Sequence, residues 1–244
     1  MNILHYLRNL IPQNNKFQLL WYHHFMSQKQ ANTDFSTNLR TVYGNLYKLH
    51  PQLDNEEFRF RYLRVDWFFP QHIHNVLDQI KRLKIKHFPE ADLEVALFAG
   101  LMHDSGLVYN RETSSPLGHE ERSSEYARKE LDALGYSEEF IEKVCGCIKA
   151  TNPAHQASFP EALLVRNADA YAHMTSMHFF AKSNFSKDID SFIHWFSDKL
   201  KITYSKITIP ELREELAPII SFYENLIENY RRNKNTADFL GNLL

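Results

Sequence analysis

One stretch constrains this chain more than any other: VALFAGLM, Val95 to Met102, running directly into His103 and Asp104. It offers no charge and no hydrogen-bonding side chain, so a helix over Leu93 to Asp104 is apolar nearly all round. Such a helix has to be enclosed by other elements. It is also far too short to cross a bilayer, which leaves the centre of a folded core as its place. The chain is 244 residues long and 43% hydrophobic, enough for one large domain, or a core with extensions.

The rest of the sequence reads as helices around that centre, with no convincing run of strand alternation. Leu39 to Leu49 is a helix stopped by Pro51. Gln71 to Leu83 places Ile73, Val76, Leu77, Ile80 and Leu83 on one stripe. Glu120 to Leu134 ends at Gly135, a natural terminator. Ser137 then caps a helix with Glu138 and Glu139 in its first turn and Ile141, Val144, Cys145 and Ile148 inward. Pro160 opens a helix reaching Met174. The NFSKDID segment is a loop or helix start, and Ile209-Pro210 precedes a last helix to about Arg232. The fold class is all-α.

Two carboxylates stand where packing does not explain them. On the Pro160 helix, Ala162, Val165, Asp169 and Ala172 share a face, and a carboxylate on an apolar stripe is expensive unless a cation or several donors compensate it. Asp104, at the end of the buried helix, poses the same problem. With His103 adjacent, the two acids suggest a shared cation. Oxygen and imidazole ligands together suit zinc, manganese, iron, cobalt, nickel or magnesium, and spacing does not choose among them. A fourth ligand should come from a neighbouring helix, where His72 and His74 lie about 200° apart. His72 is nearer the stripe of Val76 and Ile80 and is the better ligand; His74 points away.

These residues resemble a known family. His72, the His103-Asp104 doublet and Asp169, in that order on a helical chain, look like the H…HD…D signature of the HD-domain superfamily of metal-dependent phosphohydrolases. The words HIHNVL, AGLMHDSGLVY, GHEERSSEYARKEL, IKAT and NADAY agree with it from about Phe60 to Met177. The chain is also similar to the branch of predicted HD phosphohydrolases whose doublet runs into a VY segment. The resemblance implies an orthogonal helical bundle at 61–185, with helical extensions at 1–60 and 186–244. It implies a site for one or two divalent metals on His72, His103, Asp104 and Asp169, and hydrolysis of a small phosphoester such as a nucleotide. Asp104 is then a candidate base. His119 and His155 are candidates for a second metal or for phosphate contact, and His173, one turn after Asp169, for bracing. Arg122 and Arg166 are candidate phosphate-neutralising cations. Asn167 stands where relatives often carry an acid. Two other readings share the ligands: a di-iron oxygenase using His119 and His155, and a domain that binds metal or nucleotide without turnover.

Elsewhere the sequence argues mainly by exclusion. A net charge of −2 gives no electrostatic case for nucleic acid or a membrane surface. FRFRYLR alternates basic and aromatic residues, but a packed helix is the better reading, as it is for LLWYHHF. No signal peptide is expected in MNILHYLRNLIPQNN. Cys145 and Cys147 have no partner pair for a zinc ribbon. A cytoplasmic protein acting on a small phosphorylated substrate follows as the default, and a homodimer is compatible with it.

Overall fold

The computed structural model describes residues 33–49, 71–109, 117–183 and 186–235. The chain divides into two compact units, Met1–Thr41 and Val42–Leu244. In the first, the described residues are helical throughout; the second contains the candidate site. Among the described residues there are nine α-helices and no strand, as the all-α reading requires. They are α1 (Thr33–Leu49), α2 (Ile73–His87), α3 (Leu93–Met102), α4 (His119–Ala133), α5 (Glu138–Lys149), α6 (Pro160–Met174), α7 (His178–Ser183), α8 (Ile189–Ser205) and α9 (Pro210–Asn235). LLWYHHF, FRFRYLR and the domain limit near residue 60 lie outside the described residues, and 184–185, at the other expected limit, do too.

Helix α3 is the axis of the bundle, enclosed by α2, α4, α5 and α6. Every residue from Val95 to Met102 is buried. Burying each of its large side chains contributes roughly 1.5–3 kcal/mol, so the helix is held by packing on all sides. Asp92 sets where it starts, its side chain accepting from the backbone N–H of Glu94 at 2.8 Å. The helix ends at Met102 and not at the expected Asp104, whose backbone (φ −106°, ψ 5°) has already left it. That departure turns the chain into a short 3₁₀ turn, Ser105–Leu107.

The neighbouring helices follow their sequence signals. On α2, Ile73, Val76, Ile80 and Leu83 are buried while Leu77 is only half so. Helix α4 stops before Gly135, which has φ +77°. Ser137 accepts from Phe140 N–H at 3.3 Å to cap α5, whose Ile141, Val144, Cys145 and Ile148 are buried. The C-terminal helices are tied to this core by polar contacts. Arg82 donates to both oxygens of Glu215 at 2.9 and 3.1 Å, and the Tyr171 hydroxyl donates to the same carboxylate at 2.5 Å, joining α2, α6 and α9. Tyr223 on α9 donates to the Met174 carbonyl at 3.1 Å, where α6 ends.

Gly106 lets the 3₁₀ turn lie directly on the start of α4. Its N–H donates to Ser123 Oγ at 2.8 Å, and a Cβ there would meet the His119 carbonyl oxygen at 2.1 Å and Ser123 N at 2.6 Å. Both are backbone atoms and cannot swing aside. Gly106→Ala is therefore expected to destabilise the protein by about 3 kcal/mol, measured by urea unfolding. A loss below about 1 kcal/mol would mean that the turn does not depend on this close approach.

Candidate metal centre

Four side chains from three places in the chain converge inside the bundle. His72 comes from the turn that opens α2, His103 and Asp104 from the end of α3, and Asp169 from the middle of α6. All four are buried. His72 Nε2 lies 3.3 Å from His103 Nε2, 3.5 Å from Asp104 Oδ2 and 3.4 Å from Asp169 Oδ1. His103 Nε2 lies 3.2 Å from Asp104 Oδ2 and 3.5 Å from Asp169 Oδ1. His103 is oriented from behind, its Nδ1 lying 2.8 Å from the Gly100 carbonyl oxygen, the second contact that fixes an imidazole able to ligate through Nε2.

The donor set fits a divalent metal. Ligand atoms at about 2.1 Å from a common ion stand about 3.4 Å apart in a tetrahedral arrangement, close to the separations here. Asp169 Oδ1 is buried and makes no hydrogen bond, although three imidazole nitrogens lie near it. A buried carboxylate oxygen in that position is compensated by a cation. Two overlapping groups of the described residues have ligand-like spacing: His72, His103 and Asp104, and His72, Asp169 and His173.

The electrostatics are those of a site built for positive charge. Burial opposes charge on His103, Asp104 and Asp169. For Asp169 it is outweighed by His173, Lys206, His103 and His72, which hold the carboxyl well below the usual range. Asp104 is likewise held low against burial by His103 and His119. Asp104 and Asp169 hold the His103 imidazole well above its usual range against the same burial.

Around these four, the expected residues divide. His119 reaches the centre: its Nε2 is 3.3 Å from Asp104 Oδ1, and its Nδ1 is 3.1 Å from Glu120 Oε2. His173 stacks on His72 with ring centroids 4.5 Å apart and reaches Asp169 Oδ1 at 3.4 Å. His155 instead pairs with Glu121 at 3.3 Å, and the described residues do not bring it into a metal-binding group with His119. Arg122 donates to the carbonyls of Gly106 (2.8 Å) and Leu117 (2.9 Å), bracing the turn after the doublet. Arg166 donates to the carbonyls of Ala150, Asn152 and His155, holding the loop after α5. Both guanidiniums thus stabilise loops. His74 is exposed and stacks on Tyr43.

Sequence reasoning missed three contributors. Glu120 is buried behind His119. His178 on α7 lies over His173, ring centroids 4.0 Å apart. Lys206, just past α8, puts its ammonium 3.2 Å from Asp169 Oδ2. Asn167 explains how Lys206 gets there. It accepts from Thr208 N–H at 2.9 Å and donates to Thr208 Oγ1 at 2.9 Å, pinning the segment that carries Lys206 onto α6. An asparagine supplies both functions where an acid would supply only one.

The HD domain family matches residues 71–174, the segment that contains all four converging ligands. The crystal structure of Bacillus subtilis YpgQ superposes with a TM-score of 0.53 at 18% sequence identity, covering 82% of this chain and 96% of that one, a likeness of fold. Comparison with curated proteins finds no match. Residues 71–174 thus resemble an HD domain, a family that binds divalent metals, and the His/Asp groups here have the spacing to hold one.

Two outcomes are expected. Metal has to displace the proton that Asp104 and Asp169 hold on His103, so binding at neutral pH releases about one proton and weakens as pH falls. Calorimetry in buffers of differing ionisation enthalpy reads that number; zero release would contradict the protonated resting site. Lys206→Met removes a neighbouring cation from a buried carboxylate and should destabilise the metal-free protein by about 3 kcal/mol, with part of the loss recovered on adding metal. Urea unfolding of chelator-treated and metal-loaded protein compares the two states.

Proposed function

We propose that the protein hydrolyses a small phosphoester at this centre. The observation that carries the reading is the buried His72, His103, Asp104, Asp169 constellation, with His119 at its half-exposed edge. A divalent metal bound there supplies Lewis acidity toward a phosphoryl oxygen and lowers the pKa of water. Everything else falls to the chain's own residues.

His72 and His103 present Nε2 lone pairs, and Asp104 and Asp169 present carboxylate oxygens, from helices whose packing holds them in place. Asp104 also serves through its other oxygen. Its Oδ1 faces His119, outside the four-atom cluster, and is placed to take a proton from an attacking water. His119 lies between the carboxylates of Asp104 and Glu120, and an imidazole protonated at both nitrogens donates to both of them. From there its Nε2–H is placed to donate also to a phosphoryl oxygen of the ester, and the leaving alkoxide takes its proton from water. The position of His119 at the start of α4 favours an anion nearby. The apolar walls from α3 and α6 limit water around the ligands, which strengthens every charge interaction made there.

The oxygenase reading draws less support, because His155 is paired with Glu121 away from the ligand groups. A small phosphorylated substrate fits the site better than nucleic acid, given the net charge of −2. Among the described residues no helix is long and apolar enough to cross a membrane.

The test pairs elemental analysis with assays of phosphomonoesters and nucleotides in the presence of manganese, nickel, cobalt, iron, zinc or magnesium. Metal-dependent hydrolysis is expected, with Asp104→Ala removing it and His119→Ala lowering kcat by about a hundredfold. Tightly bound iron with a visible absorption band and no hydrolysis would favour oxygenase chemistry. Metal binding without turnover of any ester would favour a binding domain.

A further inference from the structure

The arginines expected from the sequence to meet the phosphate are engaged elsewhere, only Arg122 Nη2 among their nitrogens being left buried without a partner among the described residues. Arg122 and Arg166 are bonded to backbone carbonyls, and Lys206 is paired with Asp169. A phosphate brings more negative charge than two histidines and a metal shared with two aspartates can balance, so a further cation facing the centre is required.

Helix α8 supplies one. Trp195, Lys199 and Ile202 on this helix, and Lys206 just past its end, follow one another along one stripe. Both ends of that stripe are located against the centre. The Trp195 ring lies 5.9 Å from that of His178, which packs at a tilt against His173, which in turn stacks on His72. Lys206, at the other end, bonds Asp169. Lys199 lies between these two anchors, one turn beyond Trp195 and two turns before Lys206, on the side of the helix that runs along the ligands. It is half-buried, and among the described residues it makes no hydrogen bond or ion pair. Its field reaches the site from this position: burial and Lys206 lower its pKa, while Asp169, Asp104 and Glu120 act in the opposite sense. Lys199 and Trp195 also border a groove of about 420 Å³ along α8, together with Ser191, His194, Asp198 and Ile202. That is room for a small organic group beside a phosphate.

We propose that Lys199 is the phosphate-binding cation of this site, and that the groove beside Trp195 takes the organic part of the ester. The inference rests on the hydrolase reading above for the reaction, but the phosphate contact is testable without turnover. Lys199 lies outside the family-matched segment, 71–174, so α8 is part of the substrate site and not only a packing extension.

The experiment uses the full-length, metal-loaded protein and inorganic phosphate as probe, with Lys199→Met and Lys199→Arg beside wild type. Calorimetry should show phosphate binding weakened about ten- to a hundredfold in Lys199→Met and largely retained in Lys199→Arg, with metal content unchanged in both. With p-nitrophenyl phosphate, KM should rise by a similar factor in Lys199→Met while kcat changes less. Equal phosphate affinity in wild type and Lys199→Met, or no phosphate binding by wild type, overturns the assignment. Lys199-dependent phosphate binding without hydrolysis of any ester would keep the assignment and overturn the hydrolase reading. Hydrolysis with an unchanged KM in Lys199→Met would do the reverse.

Discussion

Two carboxylates packed inside an apolar bundle are the constraint on which this structure depends. Asp104 and Asp169 approach the same pair of imidazoles from different helices, and both are buried. Left alone, two such charges would cost several kcal/mol each to keep out of water. The surrounding residues each address part of that cost. His103 and His119 compensate Asp104, Lys206 pairs with Asp169 beside the His72 and His173 imidazoles, and the donor set has the spacing to hold a divalent ion. Much of the fold serves this arrangement. Helix α3 is apolar because it must stand at the centre, and its last turn can then present His103 and Asp104 inward.

The same constraint accounts for the local irregularities. A helix continued through Asp104 would carry on past the ligand position. The chain instead breaks at Met102 and folds into a 3₁₀ turn against α4, at the one place where a glycine permits backbone to touch backbone. Arg122 then ties that turn to the Leu117 carbonyl, so the segment after the doublet is braced from the helix that also supplies His119. Asn167 performs the equivalent service for Asp169, by anchoring the Thr208 segment that delivers Lys206.

How far the site could be read from the sequence follows from these devices. Asp169 stood out as a carboxylate on an apolar stripe, Asp104 and His103 as the polar end of an apolar helix, and His72 as the histidine nearer the Val76–Ile80 stripe; the structure brings these four together. Helix ends marked by Ser137, Pro160 and Gly135 were legible from capping chemistry. The exit of Asp104 from α3 was not, because nothing in HDSG fixes the end of a helix to within two residues. Lys206 was invisible for a different reason. It lies past the end of α8 in an ordinary-looking YSKIT segment, and only the tertiary pairing of Asn167 with Thr208 shows where it points. Arg122 and Arg166 misled in the opposite sense: proximity in sequence to His119 and Asp169 suggested phosphate contacts, but backbone carbonyls within reach claimed both guanidiniums.

That last point changes how the C-terminal helices are understood. The segment matched by the HD domain family, 71–174, contains the four converging residues, yet the two arginines in it that were expected to meet a phosphate bond loop carbonyls instead. The positive charge near the ligands comes from α8 and the residue after it, in Lys199 and Lys206. If Lys199 binds the phosphate as proposed, a ligand cage and the charge that complements a phosphate are separable: the first is built by the apolar centre, the second by a helix laid along its flank. Bundles sharing the cage can then differ in the ester they accept through changes on that flank alone. In this chain the flank carries a tryptophan one turn before Lys199, so if Lys199 holds the phosphate as proposed, the ester's organic part meets a flat apolar face.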